Sequence, residues 1–152
     1  MKGESLPSGD HIVRYVKPSM IQEDGAADGS DFRLRSARPG ETGLSVNWLE
    51  VLGQGKVYQL NEVRRLCRLR LSPNGRFAEM NVGVVMRQIA EELDSLRIVH
   101  DPLDAEEEFD ADPSHAEIIG LPPGDSDHAL LVGDLVAECV IAMHLALAAH
   151  ND

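Results

Sequence analysis

Aromatic side chains are scarce in this chain: Phe, Trp and Tyr together make up 4% of its 152 residues, with a single Trp. A core without aromatics must be filled by Leu, Val, Ile and Ala. Cysteine is nearly absent. Cys67 and Cys139 lie in segments whose patterns predict helices, without metal-ligand spacing around them. A disulfide scaffold is thereby excluded, and two buried free thiols in a reducing compartment are expected. Long apolar runs are lacking too. The longest, Leu130 to Ala149, is broken by Asp134, Glu138 and His144, so no transmembrane helix is expected. Residues 1–8 hold no apolar segment of the kind a signal peptide needs, and the expected location is cytoplasmic.

Positive charge is missing from one half of the chain. Residues 1–76 carry 12 Lys and Arg against 9 Asp and Glu, whereas residues 77–152 carry 2 against 17. The halves are therefore +3 and −15, and the whole is −12. The acidic half would repel phosphates, which argues against nucleic acid on that surface. The rest of the composition is ordinary for a globular protein, with 43% apolar and 26% charged residues. This length suits one domain. Residues 1–9 read as a flexible arm and 10–150 as a single domain.

Along the chain, the β-branched segment His11–Val16 predicts a strand. Phe32-Arg33-Leu34-Arg35 alternates like a second strand, expected to form a hairpin with the first. Residues 38–43 read as a turn-rich linker. In Leu44–Gly53, Ser45 as N-cap and Gly53 as stop favour a short helix over a strand. Leu60, Val63, Leu66, Cys67 and Leu71 recur at helical spacing between Val57 and Leu71. A strand over Phe77–Val82, a helix over Val84–Leu93 and a strand over Leu96–His100 follow. Residues 101–113 form an acidic loop, Ser114–Ile119 a short strand, and Asp127 to about Ala149 a last helix. The fold class is α+β: a small mixed or antiparallel sheet packed against three to four helices and covered on one face.

Candidate chemistry falls in four places. On the first strand, His11 and Tyr15 share a face and Arg14 the other. His11 and Tyr15 can bind a ribose or act as acid and base, or simply be solvated. In Leu44–Gly53, a helix start at Ser45, with Asn47 and Trp48 beside it, can hold an anion on its free N–H groups, unless Ser45 only caps and Trp48 only anchors. His100, Asp101, Asp112 and His115 bracket the acidic loop and would form a two-His, two-carboxylate cluster if it folds back. Their spacing matches no compact metal motif, so His100 and His115 are kept as acid–base candidates and no metal is assigned. Arg64, Arg65, Arg68 and Arg70 crowd one helix, suited to phosphate or RNA, to an acidic partner, or to the chain's own 101–112 loop.

The segments LSVNWLE, HDPL and DPSHA resemble those of a family of small bacterial proteins, a likeness that spans most of the chain and implies a bacterial origin. A fainter similarity is to ADP-ribosyltransferase-like folds. It implies that His11 and Ser45 hold a nicotinamide dinucleotide, although the catalytic Glu of those folds has no counterpart in its usual setting.

Two functions remain open. The charge split favours an acidic accessory or regulatory binding module acting with a protein partner and not at a membrane. The alternative is an enzyme on a nucleotide or phosphodiester substrate, using the His, Tyr and Ser residues named above.

Overall fold

A computed structural model describes residues 2–34, 42–123 and 126–147. Six antiparallel strands form one sheet: β1 (His11–Val16), β2 (Gly43–Trp48), β3 (Arg76–Asn81), β4 (Arg97–His100), β5 (His115–Ile119) and β6 (Val140–Leu145). Their spatial order is β4-β5-β2-β1-β3-β6. The helices are α1 (Lys56–Leu66), α2 (Val82–Ile89) and α3 (Asp127–Ala137). The fold is α+β, and no helix among the described residues is long and apolar enough to cross a membrane.

Period-two alternation sorts the strands between two cores. Ile12, Val16, Leu44, Val46, Met80, Ile98 and Ile118 pack on one face against Val85 and Ile89 of α2 and Val132 and Val136 of α3. On the opposite face Val13 and Phe77 meet Leu60 and Val63 of α1. Each such fully buried side chain contributes about 1.5–3 kcal/mol. The sheet is thus partly covered on both faces, where one was expected, because Val13 and Phe77 need an apolar neighbour of their own.

Four expectations are corrected. Leu44–Trp48 is strand, not helix: extended, it buries Leu44 and Val46 and turns Ser45 outward, and it closes the sheet between β1 and β5. Only Glu50–Leu52 takes a 3-10 turn. Gly29–Phe32 is also a 3-10 turn, so no hairpin forms with β1, whose neighbours are β2 and β3. The last helix stops at Ala137, and Val140–Leu145 returns as β6 to pair with β3. Residues 148 and 149 lie outside the described residues, as do 38–41 of the expected linker and Arg35. Finally, residues 3–6 of the expected arm run beside β4 instead of hanging loose. The Leu6 N–H donates to the Ile98 carbonyl at 3.0 Å, the His100 N–H donates to the Glu4 carbonyl at 2.8 Å, and Leu6 is buried.

A candidate site where two strands part

β1 pairs with β3 along all six of its residues, but with β2 only at Ile12 and Val13. Beyond Val13 the two strands separate. Arg14 fills the gap: its Nη1 donates to the Ser45 carbonyl at 2.8 Å, and its Nε donates to the Asp31 carbonyl at 2.6 Å. One side chain thus ties β1, β2 and the Gly29–Phe32 turn together. A cavity of about 440 Å³ opens here, and five cationic side chains line it: Arg14, Lys17, Arg33, Arg68 and Arg70. Asp31 and Asp112 are the carboxylates in its wall. Among the described residues, Lys17, Arg33 and Arg70 make no ion pair, which is unusual in a chain of net charge −12.

Ser45 and His115 meet on the cavity wall, since Asn47 of β2 lies opposite His115 of β5 in register. His115 Nδ1 lies 2.8 Å from the Asp101 carbonyl and 3.3 Å from the Asp101 carboxylate. A carbonyl oxygen only accepts, so Nδ1 carries the proton. Nε2 of the neutral ring is then an acceptor, 3.1 Å from Ser45 Oγ. The hydroxyl donates to a base whose tautomer is set from behind, the arrangement that proton transfer from a serine requires.

Beneath the acidic loop lies a buried polar network. Asn47 Nδ2 donates to Ser114 Oγ at 2.8 Å and to Asp112 Oδ2 at 3.1 Å. Ser114 Oγ donates to Asp112 Oδ1 at 2.6 Å. Leu103 and Asp112 pair across the loop's neck, as do Glu106 and Phe109 further out. Arg65 Nη1 donates to Asp110 Oδ2 at 2.9 Å. Arg68 donates to the Asp104 carbonyl at 2.6 Å and stacks 5.3 Å from the Phe109 ring centre. Both arginines therefore hold the chain's own acidic loop.

Asp31 is the most perturbed carboxyl. Burial pushes its pKa up to about 6, against the pull of Arg14. Burial also raises the Cys67 thiol in the cavity wall, so this cysteine is a poor nucleophile at neutral pH.

Of the residues picked from sequence, the cavity gathers Tyr15, Ser45, His115, Arg14, Asn47 and Arg68. Tyr15 is a wall: its hydroxyl accepts from the Ser72 N–H at 3.0 Å. The others lie elsewhere. His11 is held by Glu50, with Nδ1 2.7 Å from Oε2. His100 Nε2 sits 2.7 Å from the Pro113 carbonyl, and its ring stacks edge-on against Trp48. Trp48 Nε1 donates to Asp10 at 2.8 Å, and Arg64 donates to the Leu145 carbonyl at 2.7 Å. Because Ser45 is mid-strand, no helix terminus exists there to hold an anion. The four-residue cluster expected around the loop does not assemble either. Asp101 and His115 instead join Glu117, each offering one ligand atom within 4.8 Å of the others, a group able to hold a metal ion.

Lys17, Asp31, Arg33 and Glu117 were missed, whereas Arg70, grouped with Arg64, Arg65 and Arg68 on one helix, lies with Arg68 beyond the end of α1 at Leu66. Arg33 showed a weak signal, as a basic residue alternating with apolar ones, but it suggested a strand surface. Asp31 showed none, because a carboxyl buried by a turn looks like any loop aspartate.

No protein-family model matches the chain, and no curated protein or solved structure is significantly similar to it.

Proposed function

We propose that the chain is an enzyme acting on a phosphate ester, bound in the cavity between β1 and β2, with Ser45 and His115 as its proton-transfer pair. The observation that carries this reading is the trio Lys17, Arg33 and Arg70, cationic groups that make no ion pair among the described residues, around one cavity of an otherwise acidic molecule. Assembling like charges in a concave site is unfavourable unless an anion enters, and guanidinium groups match phosphate oxygens in pairs. As Ser45 Oγ attacks phosphorus, His115 Nε2 takes its proton, the P–O bond to the ester's alcohol breaks, and His115 returns the proton to the departing alkoxide. Water deprotonated by His115 then displaces Ser45 from phosphorus, or attacks in place of Ser45 from the start. The Arg14 guanidinium, held on the Ser45 carbonyl, offsets the negative charge that develops nearby. The nicotinamide dinucleotide suggested by resemblance is itself a phosphate ester and belongs among the ligands to test.

Ligand-induced stabilisation tests binding. AMP, NAD and inorganic phosphate at millimolar concentration should raise the Tm of the parent, and should lose that effect in an Arg33→Ala/Arg70→Ala variant. Bis(p-nitrophenyl) phosphate tests chemistry: turnover by the parent should fall about 100-fold or more in His115→Ala. An unchanged Tm with every phosphate would refute the reading.

The second reading is an acidic module that binds a basic protein. It rests on the 104–110 loop, whose exposed Asp104, Glu107 and Glu108 project from a neck fixed by the Leu103–Asp112 pair. A salt-sensitive complex that persists in Arg33→Ala/Arg70→Ala but is lost on neutralising the loop would favour it.

A further inference from the structure

The cavity's cations account for a phosphate but leave Asp31 unexplained. Asp31 is 7% exposed and lines the cavity, yet its Oδ2 is buried without a hydrogen-bond partner. Arg14 directs its Nε to the Asp31 main-chain oxygen. Buried acceptors are rarely left unmatched, and one that is gains the full benefit when a donor arrives.

The turn that carries Asp31 is firmly placed. Asp28 Oδ1 accepts from the Ser30 N–H at 2.9 Å, capping the turn. On α3, Gly133 allows the turn to approach so closely that a Cβ there would lie 2.6 Å from the Gly29 carbonyl oxygen. Asp31 therefore holds its position by the packing of the turn onto α3.

An occupant that satisfies both features needs an anionic end for Lys17, Arg33 and Arg70 and a hydrogen-bond donor for Asp31. We infer that Asp31 accepts a hydrogen bond from an O–H or N–H on the organic part of the ligand, so that the cavity selects sugar phosphates or nucleotides over simple phosphates. A volume of about 440 Å³ suits molecules of this size. The inference rests on the anion-binding reading above and adds the class of ligand.

Calorimetric titration at pH 7.5 separates the two. The probes are ethyl phosphate, ribose 5-phosphate and AMP, and the proteins are the parent, Asp31→Ala and Asp31→Asn. The donor-bearing probes should bind the parent about tenfold or more tighter than ethyl phosphate, as one charge-assisted hydrogen bond predicts. That gap should shrink to under about threefold in Asp31→Ala, while ethyl phosphate binds both proteins alike. Asp31→Asn keeps the shape of the site and should narrow the gap in the same direction, which covers the case of an unfolded Ala variant. Preference for ribose 5-phosphate places the donor on the sugar, and preference for AMP alone places it on the base. A gap that is absent in the parent, or that survives both substitutions, overturns the role of Asp31 and leaves the anion site standing. No binding of any probe overturns the anion site and this inference together.

Discussion

A carboxyl with a raised pKa makes a measurable statement about stability. Asp31 titrates near 6 in the folded chain against an ordinary value of 3.8. The folded state therefore holds this proton more tightly than the unfolded state. The sign follows: the contribution of Asp31 to stability is full below about pH 4 and is lost as pH rises to 6 and beyond. The groups that act on it are Arg14 of β1, Lys17, and Asp28 of its own turn. Replacing it by Asn, which is always neutral, should raise the Tm at pH 7.5 by a few degrees, about 1–2 kcal/mol after allowance for solvent. The variant should also lose part of the parent's gain in stability between pH 6 and 4. Thermal melts across that range test both, and an equal or lower Tm for Asp31→Asn at pH 7.5 would show that the carboxylate is not held at a cost.

At the scale of the element, the two faces of the sheet depend on different devices. α2 and α3 rest on a broad apolar face, whereas the start of α1 is held by a buried ion cluster. Glu79 of β3, 4% exposed, accepts from Lys56 Nζ and lies against His144 Nε2 of β6, both at 2.7 Å. Burial works to raise its pKa, but the hydrogen bonds from Lys56 and His144 outweigh it and hold the carboxyl below its usual value. Its stabilising effect is present above about pH 4.5 and is lost as pH falls through the folded value. Glu79→Gln leaves two donors facing a neutral amide and should cost roughly 2–4 kcal/mol, a Tm drop of the order of 10 °C. Hydrogen exchange should rise first in α1 and β6; uniform loss across the sheet would argue that Glu79 does not anchor them.

The acidic loop is a second element, held from outside by Arg65 and Arg68. Arg68 holds two carbonyls of the loop, those of Asp104 and Asp110, and stacks on Phe109. Arg68→Ala should speed amide exchange through residues 104–110 by about tenfold or more, with little change in β4 and β5. Unaltered exchange in the loop would mean that Arg65 and the Asn47–Asp112–Ser114 network hold it without Arg68.

For the whole molecule, charge is arranged so that a −12 chain encloses a cationic cavity. Stabilisation by a phosphate ester should therefore weaken as ionic strength rises from 0.05 to 0.5 M. The surrounding acidic surface should also slow the approach of polyanions more than that of small phosphates. Melts with AMP and with a short oligonucleotide over that salt range test the point; equal shifts from both would favour an open nucleic-acid surface over an enclosed site.

Sequence by itself determined the α+β class, the position of β1, β3, β4 and β5, and the helical character of α1 to α3. These segments carry local signals: β-branched runs, helical spacing, and turn residues at their ends. It also singled out Arg14, Ser45 and His115, because polar groups on otherwise patterned strands stand out one at a time. Tertiary structure decided the rest. Leu44–Trp48 can bury Leu44 either as helix or as strand, and the empty place between β1 and β5 selects the strand. Val140–Leu145 continues the apolar pattern of α3, and the open edge of β3 turns it into β6. The cavity itself depends on the early parting of β1 from β2, and its occupants come from Lys17, Asp31, Arg33, Ser45, Arg70 and His115. Residues so far apart in the chain carry no shared local pattern, because their proximity is created by long-range strand pairing and by the packing of one turn against α3.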